Sequence, residues 1–115
     1  MFDAVVVNIS SAAANRPHRP DVAYSASKGG LNILTQSLAR HFAPNIRVVG
    51  VSPTRLTTKM SNRPDNPEEI SQWKKRIPLG ELATPDEVVD VIESLIINMR
   101  YVTGHTILVD GGLSV

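Results

Sequence analysis

Residues 4–28 read AVVVNISSAAANRPHRPDVAYSASK. An apolar, β-branched run from Ala4 to Ile9 ends in a pair of serines. A loop punctuated by Asn15, Pro17 and Pro20 follows. From Val22 the pattern turns helical. Short, nearly unbroken apolar runs suit a parallel strand buried on both faces. The stretch therefore predicts a strand, a loop and a helix, in the order that opens an α/β unit.

The helix extends to about Ala43, with Leu31, Leu34, Leu38 and Phe42 recurring at three- and four-residue steps, and Pro44-Asn45 ends it. Its first turns are small: Ala23, Ser25, Ala26, Ser27, Gly29 and Gly30. Two glycines inside a helix cost roughly 1 kcal/mol each relative to Ala, which predicts that something approaches the backbone closely there.

Further along, Ile46–Ser52 (IRVVGVS) is a second apolar strand, stopped by Pro53, and residues 54–65 read as polar loop. Asn66-Pro67-Glu68-Glu69 starts a helix that runs to about Arg76. Thr84-Pro85-Asp86-Glu87 starts another, with Val88, Val91, Ile92, Leu95 and Ile96 as its apolar stripe. Gly104 is a turn, Thr106–Val109 (TILV) a third strand, and Asp110-Gly111-Gly112 closes it. The order of strand, helix, strand, two helices and strand argues for α/β with a parallel sheet.

Composition excludes several function classes. The 115 residues carry a formal net charge of +1, with 42% apolar and 20% charged residues. That is a globular balance without a field that would draw nucleic acid or an anionic membrane. There is no cysteine, hence no disulfide framework and no thiolate metal site. No segment approaches the ~20 apolar residues of a membrane span, and no basic region precedes the first apolar run. The expected location is the cytoplasm or an organelle matrix. His18, His41 and His105 lack metal-ligand spacing.

The chemistry sits at three positions. Tyr24 and Lys28, four residues apart on one helix, share a face. A free phenol, with a pKa near 10, is a poor acid or base at neutral pH. A neighbouring ammonium favours the phenolate form and brings such a group into range for proton exchange with a carbonyl or alcohol. Ser11 lies just past the carboxyl end of a strand, where open α/β sheets bind ligands, and a hydroxyl there can donate to an oxygen that gains charge. By themselves a Tyr and a Lys at this spacing also fit a half-buried Tyr beside a solvated Lys, and a Ser after a strand fits a turn or cap.

The motifs NISS, YSASKGGL, IRVVGVSPTRLTTKM, IPLGELATPDEV and YVTGHTILVDGG, in this order and at these gaps, resemble the C-terminal half of a short-chain dehydrogenase/reductase. The resemblance covers nearly the whole chain and is nearest to the 3-oxoacyl-carrier-protein reductase type. It implies the C-terminal portion of a Rossmann-like, doubly wound parallel sheet, about three strands and three to four helices, with residues 1–115 one partial domain and the first βαβ half absent. It also implies hydride transfer between NAD or NADP and a small-molecule carbonyl or alcohol.

By the same resemblance Tyr24 is the general acid/base. Lys28 lowers its pKa and holds the nicotinamide ribose hydroxyls. Ser11, rather than Ser10, orients the substrate carbonyl, because the thirteen-residue gap to Tyr24 fits the second serine. Pro53, Leu56 and Thr58, with Tyr24 and Lys28, meet the nicotinamide end of the cofactor. Residues 59–76 form a lid. The helix over 22–43 and the C-terminus supply a homo-oligomer interface.

The sequence departs from the family in what it lacks. No Gly-rich turn is present to hold a cofactor pyrophosphate, and neither the adenosine-ribose selector nor the catalytic Asn upstream of the serine is here. The expectation is a short-chain reductase segment that is inactive alone; the alternative is a truncated, non-catalytic fragment whose remaining activity is subunit association. Thr54 stands where the family usually has Gly, and Val49 where it often has Asn. Arg16, His18 and Arg19 read as a solvated basic loop, with contact to an anionic substrate as the alternative. Trp73 either packs on substrate or on the body of the protein. Arg55 could reach a cofactor phosphate, and Lys74-Lys75-Arg76 suits a helix C-terminus.

Overall fold

The computed structural model describes residues 4–16, 22–57 and 66–115. Among the described residues seven elements follow one another: β1 (Ala4–Ile9), a 3-10 turn (Ala12–Ala14), α1 (Val22–Phe42), β2 (Ile46–Pro53), α2 (Pro67–Arg76), α3 (Pro85–Ile97) and β3 (Thr106–Val109). The strands form one parallel sheet in the order β1-β2-β3. β1 registers on β2 from Ala4 opposite Ile46 to Ile9 opposite Val51, and β3 from Thr106 opposite Gly50 to Val109 opposite Pro53. The architecture is the α/β, partial Rossmann-like sheet expected from the sequence.

The central strand is the core. Val48, Val49 and Val51 have no exposed surface. Val49 and Val51 pack with Val88 and Leu95 of α3, and Val5, Val7, Val91, Ile92 and Ile107 close around them. Side chains alternate along a strand, so the other face of β2 turns to α1, which makes its contacts chiefly with β2 and the 3-10 turn. Gly50 makes room for the neighbouring strand β3, because a Cβ there would run into the Thr106 side chain. A second cluster joins Ile77, Leu82 and Leu113, with Ile70 and Trp73 of α2 packed against it.

Three expectations of burial are corrected. β1 is not buried on both faces: Val6 is 41% and Ile9 47% exposed, because it is the edge strand and α1 lies over β2. The buried residues of α1 are Thr35 and Ala39, while Leu34 and Phe42 of the supposed stripe are exposed. The sheet accepts the small face of the helix, where the Asn8 side-chain amide donates to the Thr35 hydroxyl at 3.0 Å. On α3, Ile96 is exposed while Val88 and Leu95 are buried. Nothing lies within 4 Å of the Cβ position at Gly29 or Gly30, so no close approach accounts for these glycines among the described residues.

Candidate active site

The site is built where β1 runs out. Ser10 extends the sheet by one bond, its N–H donating to the Val51 carbonyl at 2.7 Å. Two further bonds tie this strand end to the start of α1. The Ser10 hydroxyl donates to the Lys28 carbonyl at 3.2 Å, and the Lys28 ammonium donates to the Ile9 carbonyl at 3.0 Å. The two serines are thereby separated in role. Ser10 is buried and consumed by the joint, whereas Ser11 is half-buried and caps the 3-10 turn, its Oγ accepting from Ala13 N–H at 3.2 Å.

Helical spacing brings Tyr24 and Lys28 together, with the ammonium 5.7 Å from the centroid of the phenol ring. Tyr24 is 47% exposed, and it opens with Ser11 onto a cavity of about 610 Å³. Lys28 does not line that cavity. Its ammonium can offer three donors, of which the Ile9 carbonyl takes one, so donors remain for ribose hydroxyls; the residues present fit the nicotinamide end of a dinucleotide.

The loop after β2 supplies another wall. Pro53 is the last residue of the strand and is half-buried. Thr54 lines the cavity, and its N–H donates to the Val109 carbonyl at 3.3 Å. Leu56 pairs with Ala83 in an isolated bridge and packs on the Val49–Leu95 cluster. Thr58, His18, Arg19 and the first part of the expected lid lie outside the described residues. Ser11 and Tyr24 thus share the cavity, while Pro53 and Leu56 do not line it.

Helix α2 faces the cavity with Glu69, Gln72, Trp73 and Arg76. Arg55 reaches Glu69 in an ion pair of 2.7 Å. Arg76 lies over the Trp73 ring, 5.1 Å from its centroid. Trp73 both packs on the Ile77–Leu113 cluster and lines the cavity. Sequence reading missed Glu69, Gln72 and Arg76; their signal was the three- and four-residue spacing from 69 to 76, which puts them on one face of a helix. It also missed how Arg16 is used. The Arg16 guanidinium donates to the Leu113 carbonyl, and the turn presenting that carbonyl is held by Asp110, which accepts from Gly112 N–H at 3.0 Å and Ser114 N–H at 2.9 Å.

The sequence and the parallel-sheet fold of the chain resemble those of known proteins. The family model described as enoyl-(acyl carrier protein) reductase matches residues 3–114. L-xylulose reductase of Caenorhabditis elegans is 40% identical over 114 residues, covering 95% of this chain and 45% of the relative. The chain belongs to the short-chain dehydrogenase/reductase family. A family member from Brucella melitensis, a glucose/ribitol dehydrogenase type, superposes with a TM-score of 0.89 at 34% identity, over 97% of this chain and 46% of that one. A gluconate 5-dehydrogenase from Burkholderia cenocepacia, solved with NADP and tartrate, superposes with a TM-score of 0.84 at 28% identity, over 96% and 44%. The chain spans less than half the length of each of these short-chain dehydrogenase/reductases.

Proposed function

We propose that the chain carries the proton-transfer side of an NAD(P)-dependent oxidoreductase acting on a carbonyl or alcohol. The observation that carries this reading is the Tyr24–Lys28 face, with its ammonium 5.7 Å from the phenol ring, next to Ser11 at the mouth of one cavity. The bound nicotinamide would supply or accept the hydride. Tyr24 gives its phenolic proton to the substrate oxygen in reduction and takes it back in oxidation. Ser11 donates a hydrogen bond to the same oxygen as charge develops on it. Lys28 sets a positive charge beside the ring that parts with the proton and retains donors for the nicotinamide ribose. Pro53 and Leu56 border the nicotinamide end. The NADP held by the gluconate dehydrogenase supports the cofactor class.

This sequence contains no Gly-rich turn for the pyrophosphate, so turnover depends on residues outside it and the chain by itself is inactive. The test is calorimetric titration of NADH and NADPH, with Lys28→Ala and Tyr24→Phe beside the parent. Expected is weak, saturable binding that Lys28→Ala reduces about ten-fold, as loss of a charge-assisted hydrogen bond does. Binding indifferent to Lys28→Ala would remove it from the cofactor site, and Tyr24-dependent turnover by the isolated chain would overturn its inactivity.

A second reading, subunit association, is favoured by one observation. The outer face of α1, turned away from the buried Thr35 and Ala39, exposes Ile33 at 61% and Leu34 at 47%, apolar side chains open to a partner. We propose that α1 and the C-terminus pair with a second copy of the chain.

A further inference from the structure

We propose that the cavity beside Tyr24 takes an anionic substrate, a ketone or alcohol that carries a carboxylate or phosphate. The proposal rests on the reading of Tyr24 as the proton-transfer group and extends it to the substrate class.

The charges of the cavity carry the inference. Among the described residues, Arg16, Arg55, Arg76 and Glu69 line it. Three guanidinium groups against one carboxylate leave two positive charges. Arg55 and Glu69 face each other at 2.7 Å, which assigns the surplus to Arg16 and Arg76. Neither of these meets a carboxylate among the described residues. Arg16 is held by the neutral Leu113 carbonyl and Arg76 by the Trp73 ring. Such partners fix the position of a guanidinium without cancelling its charge.

The donors are also of the right kind. A guanidinium has five N–H donors in a planar fork that matches carboxylate and phosphate oxygens. Arg16 uses NH1 on Leu113 and keeps donors for a ligand. The two arginines come from different elements, the segment after Ser11 and the end of α2, and both line the cavity, so an anionic group within it has two guanidinium groups to meet. Ser11 and Tyr24 open onto the same space of about 610 Å³, within the range of small-ligand pockets. A neutral sugar would favour the Trp73 ring as a platform, but Arg76 already covers one face of it.

Trp73 is the single tryptophan of the chain and lines the cavity, so its fluorescence reports occupancy. Three ketones serve as probes: 4-oxopentanoate, hydroxyacetone phosphate, and 4-oxopentanamide as the neutral control. At low salt at least one anionic ketone binds about ten-fold tighter than the amide, a margin that shrinks as added salt screens it. The tighter of the two anions distinguishes carboxylate from phosphate recognition. Arg76→Gln cuts the margin about three-fold and Arg76→Lys restores part of it, as expected for a charge that also has fork geometry. Arg16→Gln acts in the same direction; the salt series and Arg76→Gln stand without it if its loss disturbs the C-terminal turn. An amide that binds as tightly as both anions overturns the proposal, as does a margin that survives both Gln variants. Tyr24→Phe separates this failure from that of the site. Equal binding of all three ketones, weakened by Tyr24→Phe, sinks the anion preference and keeps the site. A margin lost with the arginines but indifferent to Tyr24→Phe keeps the anion preference and removes the carbonyl from Tyr24. No response of Trp73 to any ketone overturns both.

Discussion

Asp110 directly follows β3 and is buried, at 7% exposure. Burial works to raise the pKa of its carboxyl. The neighbouring Ser114 hydroxyl, a nearby dipole without full hydrogen-bond geometry, and the amides of Gly112 and Ser114 outweigh that effect, and the pKa settles below the ordinary 3.8. A carboxylate whose pKa is depressed on folding stabilises the fold fully above its unfolded value, and that contribution is lost as pH falls through the lowered one. Asp110→Asn is therefore expected to be less stable than the parent at pH 7, with the gap closing in acid below the ordinary carboxylate range. Urea denaturation at neutral and acid pH measures it; a gap independent of pH would show that the charge is not the cause. The turn itself was legible, since Gly111 and Gly112 take the positive φ values of 60° and 90° that an Asp-Gly-Gly run permits. The catch on Arg16 was not, because its partner carbonyl lies 97 residues away.

At the scale of elements, helix starts were read well and helix faces poorly. Asn66 caps α2 through Glu68 N–H, and Thr84 with Glu87 forms a complete capping box on α3. Both signals are contained in four consecutive residues, so sequence suffices. The C-terminus of α3 has no basic residue in its last turn. Two of its carbonyls, and two in the segment that follows, are met from the sheet instead. Arg47 of β2, only 3% exposed, donates to Leu95 at 2.9 Å, Val102 at 3.0 Å, and Ile96 and Met99 at 3.1 Å. A strand residue thus completes a helix end, and no local pattern announces it. Arg47→Met should destabilise the fold by about 3 kcal/mol, since it strands several buried carbonyls at once. Urea denaturation of the variant and amide exchange at the end of α3 measure this, and a loss under about 0.5 kcal/mol would reduce Arg47 to a passive filler. On α1 the leucine periodicity was real but misassigned, because the helix needed its small side to reach the sheet.

For the molecule as a whole, the unpartnered surfaces set the behaviour to be tested. Among the described residues β1 pairs on one side only, which leaves a row of backbone donors and acceptors on the other. The outer face of α1 adds Ile33 and Leu34. No described helix is long and apolar enough to cross a membrane, so a bilayer-spanning helix among them does not explain this apolar surface. Analytical ultracentrifugation is expected to show concentration-dependent association of the parent chain, and a smaller species for Ile33→Glu with Leu34→Glu. Should parent and variant both sediment as monomers at about 100 μM, well above the micromolar range of standard-size interfaces, the association reading fails.

The sequence by itself determined the order of elements, the parallel α/β class, the helix caps and the Tyr24–Lys28 face. Each of these is encoded within a few consecutive residues, by strand run, cap motif or helical spacing. Only the tertiary structure decided what holds Ser10, which face of α1 met the sheet, and which charges share the cavity with Tyr24. Those depend on contacts such as Ser10 with Lys28, Arg55 with Glu69 and Arg16 with Leu113, whose partners lie 18, 14 and 97 residues apart. At such separations the meeting of two side chains is set by the packing of whole elements, not by the sequence between them.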